Sequence, residues 1–565
     1  MAVSSKDSRL QIAALVKKFI SGSEAEQTKV KQQSQAHLKT YSGLALFGLA
    51  GCGGGGEQGG GGSIGSYVPP PANYEPPVSV DVNFKVLEAE LLHPYWTASL
   101  LMDAPERSVE PMLERYSRVI EYSFPVVQPP YEQTEVIGWQ TANAILQTAG
   151  REIFDRLEAY LNVSFVEVTG PLDMNVIAIG VSSQTETVGF AYFPNPDFEV
   201  GMDVFISDDK VAPRFIGTEV TNLDYEVILH EIYHALGVKH PFEADGDNTN
   251  VLGSREDISS YTVMSYNLDP TSFSGDARVL DLMALTELYG VNPSYRSEDD
   301  TYTFSNSSGV FIVDGGGRDT VAYQGSQNVF VDLRSGGHSF VGSKSAYITS
   351  ANQLTISNGS LIENVTTGSG NDTIIGNAFD NTLSSGSGDD RIFAGEGRDS
   401  VMSGTGADII DLSEDVQARD TVRFSAESTA DGADTLYGFK QGGSDDCLDL
   451  GDLLPGGFDF LPLISVTNVP EVNIAAAIVR VVGANLDTSE AVARELKTGS
   501  LTSLELSGQS KSILLCADSQ ETGAEQHLYA ASTMTGDLIV SELAVLQGNY
   551  LDIDMWSSAN FVSVI

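Results

Sequence analysis

The chain has 565 residues, too many for a single hydrophobic core, so two or three domains are expected. It carries 77 acidic against 31 basic residues, a formal net charge of −46. That argues against nucleic acid as a partner, because phosphate binding needs a basic face. The acidic surplus fits a protein that binds divalent cations or stays soluble outside the cell, and part of it is simply a solvated surface. Three widely spaced cysteines, Cys52, Cys447 and Cys516, form neither a disulfide framework nor a thiolate zinc site. No apolar run approaches the roughly 18 to 20 residues that cross a bilayer, so no transmembrane segment is expected.

Residues 1–79 read as a leader and linker. An apolar patch from Gly43 ends in Leu49-Ala50-Gly51-Cys52, which resembles a bacterial lipoprotein signal with Cys52 as the acylated residue. About 40 residues precede it, more than a normal signal peptide holds unless translation begins at Val30, and the patch is short for a signal. A second reading, a small-residue coil entering the glycine tract Gly51–Gly65, stands beside the first. Proline pairs around Tyr67 and Tyr74 then make a stiff spacer.

The first folded domain is expected over 80–300. Leu146 to Leu161 carries apolar residues at helical spacing, while Val163–Val168 and Asn175–Gly180 read as strands, an α/β arrangement. After Thr301, Gly, Asp, Asn and Ser dominate and helical periodicity stops, which predicts an all-β domain over 301–455. Residues 456–565 read as a small folded module with no chemistry of their own.

Three of the seven histidines fall in His230-Glu-Ile-Tyr-His234-Ala-Leu-Gly237-Val-Lys-His240. On a helix, His230 and His234 sit one turn apart on one face, with Glu231 beside them. Thr221 and Asp224 form a capping box ahead of it. Gly237 ends the helix in a left-handed turn, so that His240 approaches one metal ion from a third side. Three neutral imidazoles leave coordination positions open, the mark of a catalytic zinc, with Glu231 as general base toward a bound water.

This extended motif resembles the metzincin signature. Tyr261-Thr-Val-Met264-Ser-Tyr266 resembles that family's Met-turn, with Met264 beneath the metal. In the serralysin branch the tyrosine two residues after the methionine ligates zinc and swings away to stabilise the transition state, and Tyr266 holds that place. Asp281 to Gly290 is similar to the helix that closes serralysin catalytic domains, and Gly189 to Pro194 is similar to the strand bordering the cleft, which puts Ala191 and Tyr192 beside substrate. Tyr233 departs from the family, which carries glycine there. No cysteine stands where a thiol latch would.

Between Gly368 and Asp411 the text repeats with a nine-residue step, Gly-x-Gly-x-Asp followed by one apolar residue. Such units wind into a parallel β-roll that binds calcium, with Asp372, Asp390, Asp399 and Asp408 as carboxylate ligands, Gly370, Gly388, Gly397 and Gly406 in the turns, and Asp319 in an earlier copy. Asn377 to Ser385 keeps the length without the glycine pair, so fewer ions than turns are expected. These repeats resemble the RTX type. The resemblance implies several structural Ca²⁺ ions, export by a type I secretion machinery and an uncleaved C-terminal signal.

The reading is therefore an α/β metzincin catalytic domain joined to an all-β RTX roll. It implies a monomeric zinc endopeptidase acting on extracellular polypeptides, holding one catalytic Zn²⁺ at His230, His234, His240 and Tyr266. It is secreted, or tethered through Cys52. The rival is a non-catalytic calcium-dependent surface protein with a structural zinc domain, against which the intact base Glu231 speaks.

Overall fold

The computed structural model describes residues 94–562 apart from internal stretches, the longest being 103–112, 209–220 and 548–559. Cys52, the leader and linker, the expected domain start near Val80 and the side chain of Cys516 lie outside the described residues. The described chain forms two compact units, one ending at Gly290 and one beginning at Val291.

In the first unit, a short helix α1 (Tyr95–Ala98) is followed by β1 (Val119–Ser123), β2 (Gln140–Thr141), α2 (Ala144–Tyr160), β3 (Ser164–Glu167), β4 (Val176–Ser182), β5 (Gly189–Ala191), β6 (Val204–Ser207), α3 (Asn222–Ala235) and α4 (Val279–Tyr289). Asn143 caps α2 by accepting from the amides of Ile145 and Leu146 at 3.1 and 2.9 Å. The periodic residues Leu146, Ala149, Ile153, Phe154 and Leu157 are all buried. Each large one contributes about 1.5–3 kcal/mol. The sheet runs β3-β1-β4-β6-β5, parallel except for β5, with β2 pairing antiparallel to β4. All seven residues of β4 are buried, the pattern of a central parallel strand. Helix α3 packs on β5 and β6.

The second unit is built on the nine-residue step. Successive strands Thr373–Ile375, Thr382–Ser384, Arg391–Phe393, Ser400–Met402 and Ile409–Asp411 alternate between two sheets, so strands eighteen residues apart lie side by side in parallel register. The single apolar residue of each repeat points between the sheets: Ile374, Leu383, Ile392, Val401 and Ile410 are all completely buried in one cluster. The ladder continues past the repeats through Thr421–Arg423, Asp434–Tyr437 and Cys447–Asp449. The strand Ile539–Gln547 then pairs parallel with Asp434–Tyr437, and Phe561–Val562 pairs with Cys447–Asp449, so strands of the C-terminal region extend both sheets of the roll. Among the described residues no helix is long and apolar enough to cross a membrane.

Candidate metal centre

The histidine helix starts where its capping box lies. Thr221 Oγ1 accepts from the Asp224 amide at 3.3 Å, and the Asp224 carboxylate accepts from the Thr221 amide at 3.0 Å. It ends at Gly237, whose φ of +95° disfavours any residue with a Cβ. The Val238 amide donates back to the Tyr233 carbonyl at 2.9 Å, closing the turn. The Lys239 amide donates to the Leu100 carbonyl at 2.7 Å. The buried Lys239 ammonium donates to the carbonyls of Ser99, Glu243 and Asn250 at 2.7, 2.6 and 3.2 Å. This carbonyl cage ties the segment after the helix in place, and burial lowers the lysine pKa to about 8. The sequence reading gave Lys239 no role.

The result is a convergence of three imidazoles. Nε2 of His240 lies 3.2 Å from Nε2 of His230 and 3.1 Å from Nε2 of His234. The ligand atoms all lie within 4.8 Å of one another. Each Nδ1 faces outward onto an acceptor: the Val263 carbonyl for His230 at 3.0 Å, the Val238 carbonyl for His234 at 2.8 Å, and the Glu243 carboxylate for His240 at 2.9 Å. Those acceptors fix the proton on Nδ1 and leave the Nε2 lone pairs facing inward, the tautomer a metal ligand needs. Burial first, and the neighbouring imidazoles second, lower the His230 pKa to about 3 and hold His234 well below its usual value, so both are neutral. Three inward lone pairs repel one another in a dry pocket, and a divalent cation removes that repulsion. The donor set fits zinc.

Glu231 is completely buried, and neither carboxylate oxygen has a hydrogen-bond partner. Burial alone raises its pKa well above the ordinary carboxylate value. Gly189 on β5 makes room for it: a Cβ there would stand 2.7 Å from Glu231 Oε1. This contact joins the edge strand to the histidine helix, and the sequence reading missed it because the partners are far apart in the chain. Ala191 is buried in the same strand, and the Tyr192 amide donates to Asp203 at 3.1 Å.

The Tyr266 hydroxyl lies 3.0 Å from His240 Nε2, beside the triad. Its ring packs on His240 and on Phe242, with centroids 4.7 and 4.8 Å away. Met264 is fully buried in the turn before it. That turn is pinned from α4. Asp281 accepts from the Thr262 hydroxyl at 2.6 Å and from the Val263 amide at 2.9 Å, while the carbonyl of the same Val263 holds His230. Asp281 thus acts on the imidazole through a single residue, Val263. Tyr233 is wholly buried, and its hydroxyl has no partner.

In the second unit the predicted aspartates repeat one geometry. Oδ1 of Asp390 accepts from the Asp372 amide at 2.7 Å, and Oδ1 of Asp408 from the Asp390 amide at 2.9 Å. On the other edge, Oδ1 of Asp399 accepts from the Asn381 amide at 2.8 Å. Asp319 accepts from the Asp300 amide at 2.7 Å. In all five, Asp319, Asp372, Asp390, Asp399 and Asp408, Oδ2 is buried and partnerless. Orphaned carboxylate oxygens in register suit a hard cation with oxygen ligands. Gly388 and Gly406, at φ +124° and +134°, bring turns so close that a Cβ would lie 2.0 Å from the carbonyl oxygen of the preceding turn. Gly397 has the same left-handed φ, whereas Gly370 does not and packs against Gln327. Asn377 closes its turn with side-chain bonds to the carbonyls of Leu333 and Ile362 at 3.1 and 2.7 Å. The ladder also includes Asp420, Asp434 and Asp446, which the repeat pattern did not reach.

The RTX calcium-binding nonapeptide repeat matches residues 366–401 and 375–410. The chain is 30% identical to serralysin of Proteus mirabilis, over 46% of this chain and 60% of that protein. It is 29% identical to the metallopeptidase AprA of Pseudomonas marginalis, over 38% and 50%. Serralysin G of Dickeya chrysanthemi is 33% identical over 29% and 38%. The chain spans less than two thirds of the length of these relatives.

Proposed function

We propose that this serralysin-like chain with C-terminal RTX repeats is a secreted zinc endopeptidase of metzincin architecture. The observation that carries the reading is the convergence of three outwardly anchored imidazoles beside a buried, partnerless carboxylate. His230, His234 and His240 would hold the ion. Zinc, when bound, supplies Lewis acidity that acidifies a water and polarises a carbonyl.

Glu231 does the proton work. Its buried carboxylate, with neither oxygen hydrogen-bonded to the protein, takes a proton from the attacking water and returns it to the leaving amine. The Tyr266 hydroxyl is placed to ligate the ion or to donate a hydrogen bond to the developing oxyanion. An extended polypeptide is positioned by strand addition to β5, whose outer edge pairs with no strand among the described residues. A purely structural zinc would have no use for Glu231, which favours the enzyme over the surface-protein reading.

The domain plan of 80–300 for catalysis, 301–455 for the roll and 456–565 for the C-terminal module belongs to this proposal. So do export through a type I machinery, release from the cell and several structural calcium ions. Removal of zinc with a chelator that spares calcium is expected to abolish casein hydrolysis, and one equivalent of zinc to restore it. Hydrolysis that survives zinc removal contradicts the reading.

A further inference from the structure

His230 and His234 stand on one helix, whose geometry fixes their spacing, and both are anchored on main-chain carbonyls. His240 lies past Gly237, outside the helix, and its anchor is a side chain, the Glu243 carboxylate. That carboxylate is 59% exposed, whereas the imidazole it holds is 4% exposed. A mostly exposed side chain can hold an imidazole firmly only if its own main chain is held. Two groups supply that hold from the segment around α1. The buried Lys239 ammonium bridges the Ser99 carbonyl to those of Glu243 and Asn250. The Asn248 side chain donates to the carbonyls of Ala98 and Leu101 at 2.8 and 2.9 Å. An ammonium has three donors, and here carbonyl oxygens take all of them.

We propose that Lys239 and Glu243 act in series as positioning residues for His240. The ammonium, together with Asn248, fixes the Glu243 main chain against the carbonyls of α1 and the residues just after it, and the Glu243 carboxylate then fixes the third imidazole. Neither Lys239 nor Glu243 belongs to the converging ligand group. Both act before an ion arrives, by leaving His240 little freedom to lose when it binds. This inference deepens the zinc reading and rests on it. It gives a function to a buried lysine that the zinc chemistry leaves unused, and it makes the third ligand depend on chain 140 residues upstream.

The test measures zinc affinity of the full-length chain in millimolar calcium, by competition with a chromogenic chelator, together with the Tm of the zinc-free protein. Glu243→Ala is expected to weaken zinc binding by about 10–100-fold, the usual loss when the anchor of a ligating histidine is removed. Its zinc-free Tm should match wild type, because the side chain is mostly exposed. Glu243→Gln keeps an acceptor for Nδ1 of His240 and should bind zinc with an affinity between the two. Lys239→Met should also weaken zinc binding, and it should lower the zinc-free Tm, since it leaves carbonyls without their donor. Because the two residues act in series, the double variant should bind zinc no more weakly than E243A by more than about twofold. Wild-type affinity in E243A overturns the proposal, and so do losses that multiply in the double variant. Should K239M fail to fold, Asn248→Ala takes its place in the comparison with the same expectations for affinity. A wild-type chain that binds no zinc overturns the zinc reading itself.

Discussion

Replacing Glu231 with glutamine is expected to lower kcat for peptide hydrolysis by about 10²–10⁴-fold, the usual contribution of a positioned general base. Zinc content and KM should change little, because Glu231 is not among the three imidazole ligands and glutamine keeps the shape that fits against Gly189. Folding stability is expected to hold or rise. The wild-type carboxylate is buried with both oxygens unpartnered, and exchanging it for a neutral amide removes a desolvation penalty. Loss of turnover with retained zinc and an unchanged or higher Tm separates a catalytic carboxylate from a structural one. A variant that hydrolyses peptides at the wild-type rate would refute the role.

The second large effect concerns calcium and pH. Burial first, and neighbouring carboxylates second, raise the pKa of Asp390 to about 7, Asp399 to about 8 and Asp420 to about 7. These folded-state values lie above those of the unfolded chain. The calcium-free roll is therefore most stable below about pH 4, and it loses stability as pH rises through the window from about 4 to 8. Calcium reverses the sign, because it binds the ionised form, so protection grows with pH. At a thousandfold excess over its Kd one site contributes about 4 kcal/mol, which shifts Tm by roughly 10 °C for a unit of this size. Thermal melts in chelator are expected to fall from pH 5 to pH 8, and melts in millimolar calcium to rise. Parallel pH trends in both buffers would contradict this account. The same linkage lets a chain stay loose where calcium is scarce and close where it is plentiful.

Short-range patterns carried most of what the sequence revealed. The capping box, the helical spacing of His230 and His234, and the stop at Gly237 are local, and each appears as a local structure. The nine-residue step was equally legible, since every repeat places its own apolar residue and all but the one with Asn381 place an aspartate. Contacts made across the fold were hidden. Gly189 is forty-two residues from Glu231, Asp281 is fifty-one from His230, and only the packing of β5 and α4 brings them together. Lys239 carried no signal in the sequence, because the carbonyls of Ser99 and Asn250 that enclose it lie elsewhere in the chain. The ladder beyond Asp408 escaped notice because glycine disappears from the turn at 413–420 while the hydrogen-bond register continues. The pairing of Ile539–Gln547 with the roll likewise depends on a partner a hundred residues away.

The central claim is a single zinc ion held by three imidazoles, and X-ray absorption at the zinc edge of the zinc-loaded protein tests it most directly. The account predicts three nitrogen scatterers with imidazole multiple-scattering features at about 2.0–2.1 Å, completed by one or two oxygens. A shell containing sulfur, or fewer than three imidazoles, would contradict it.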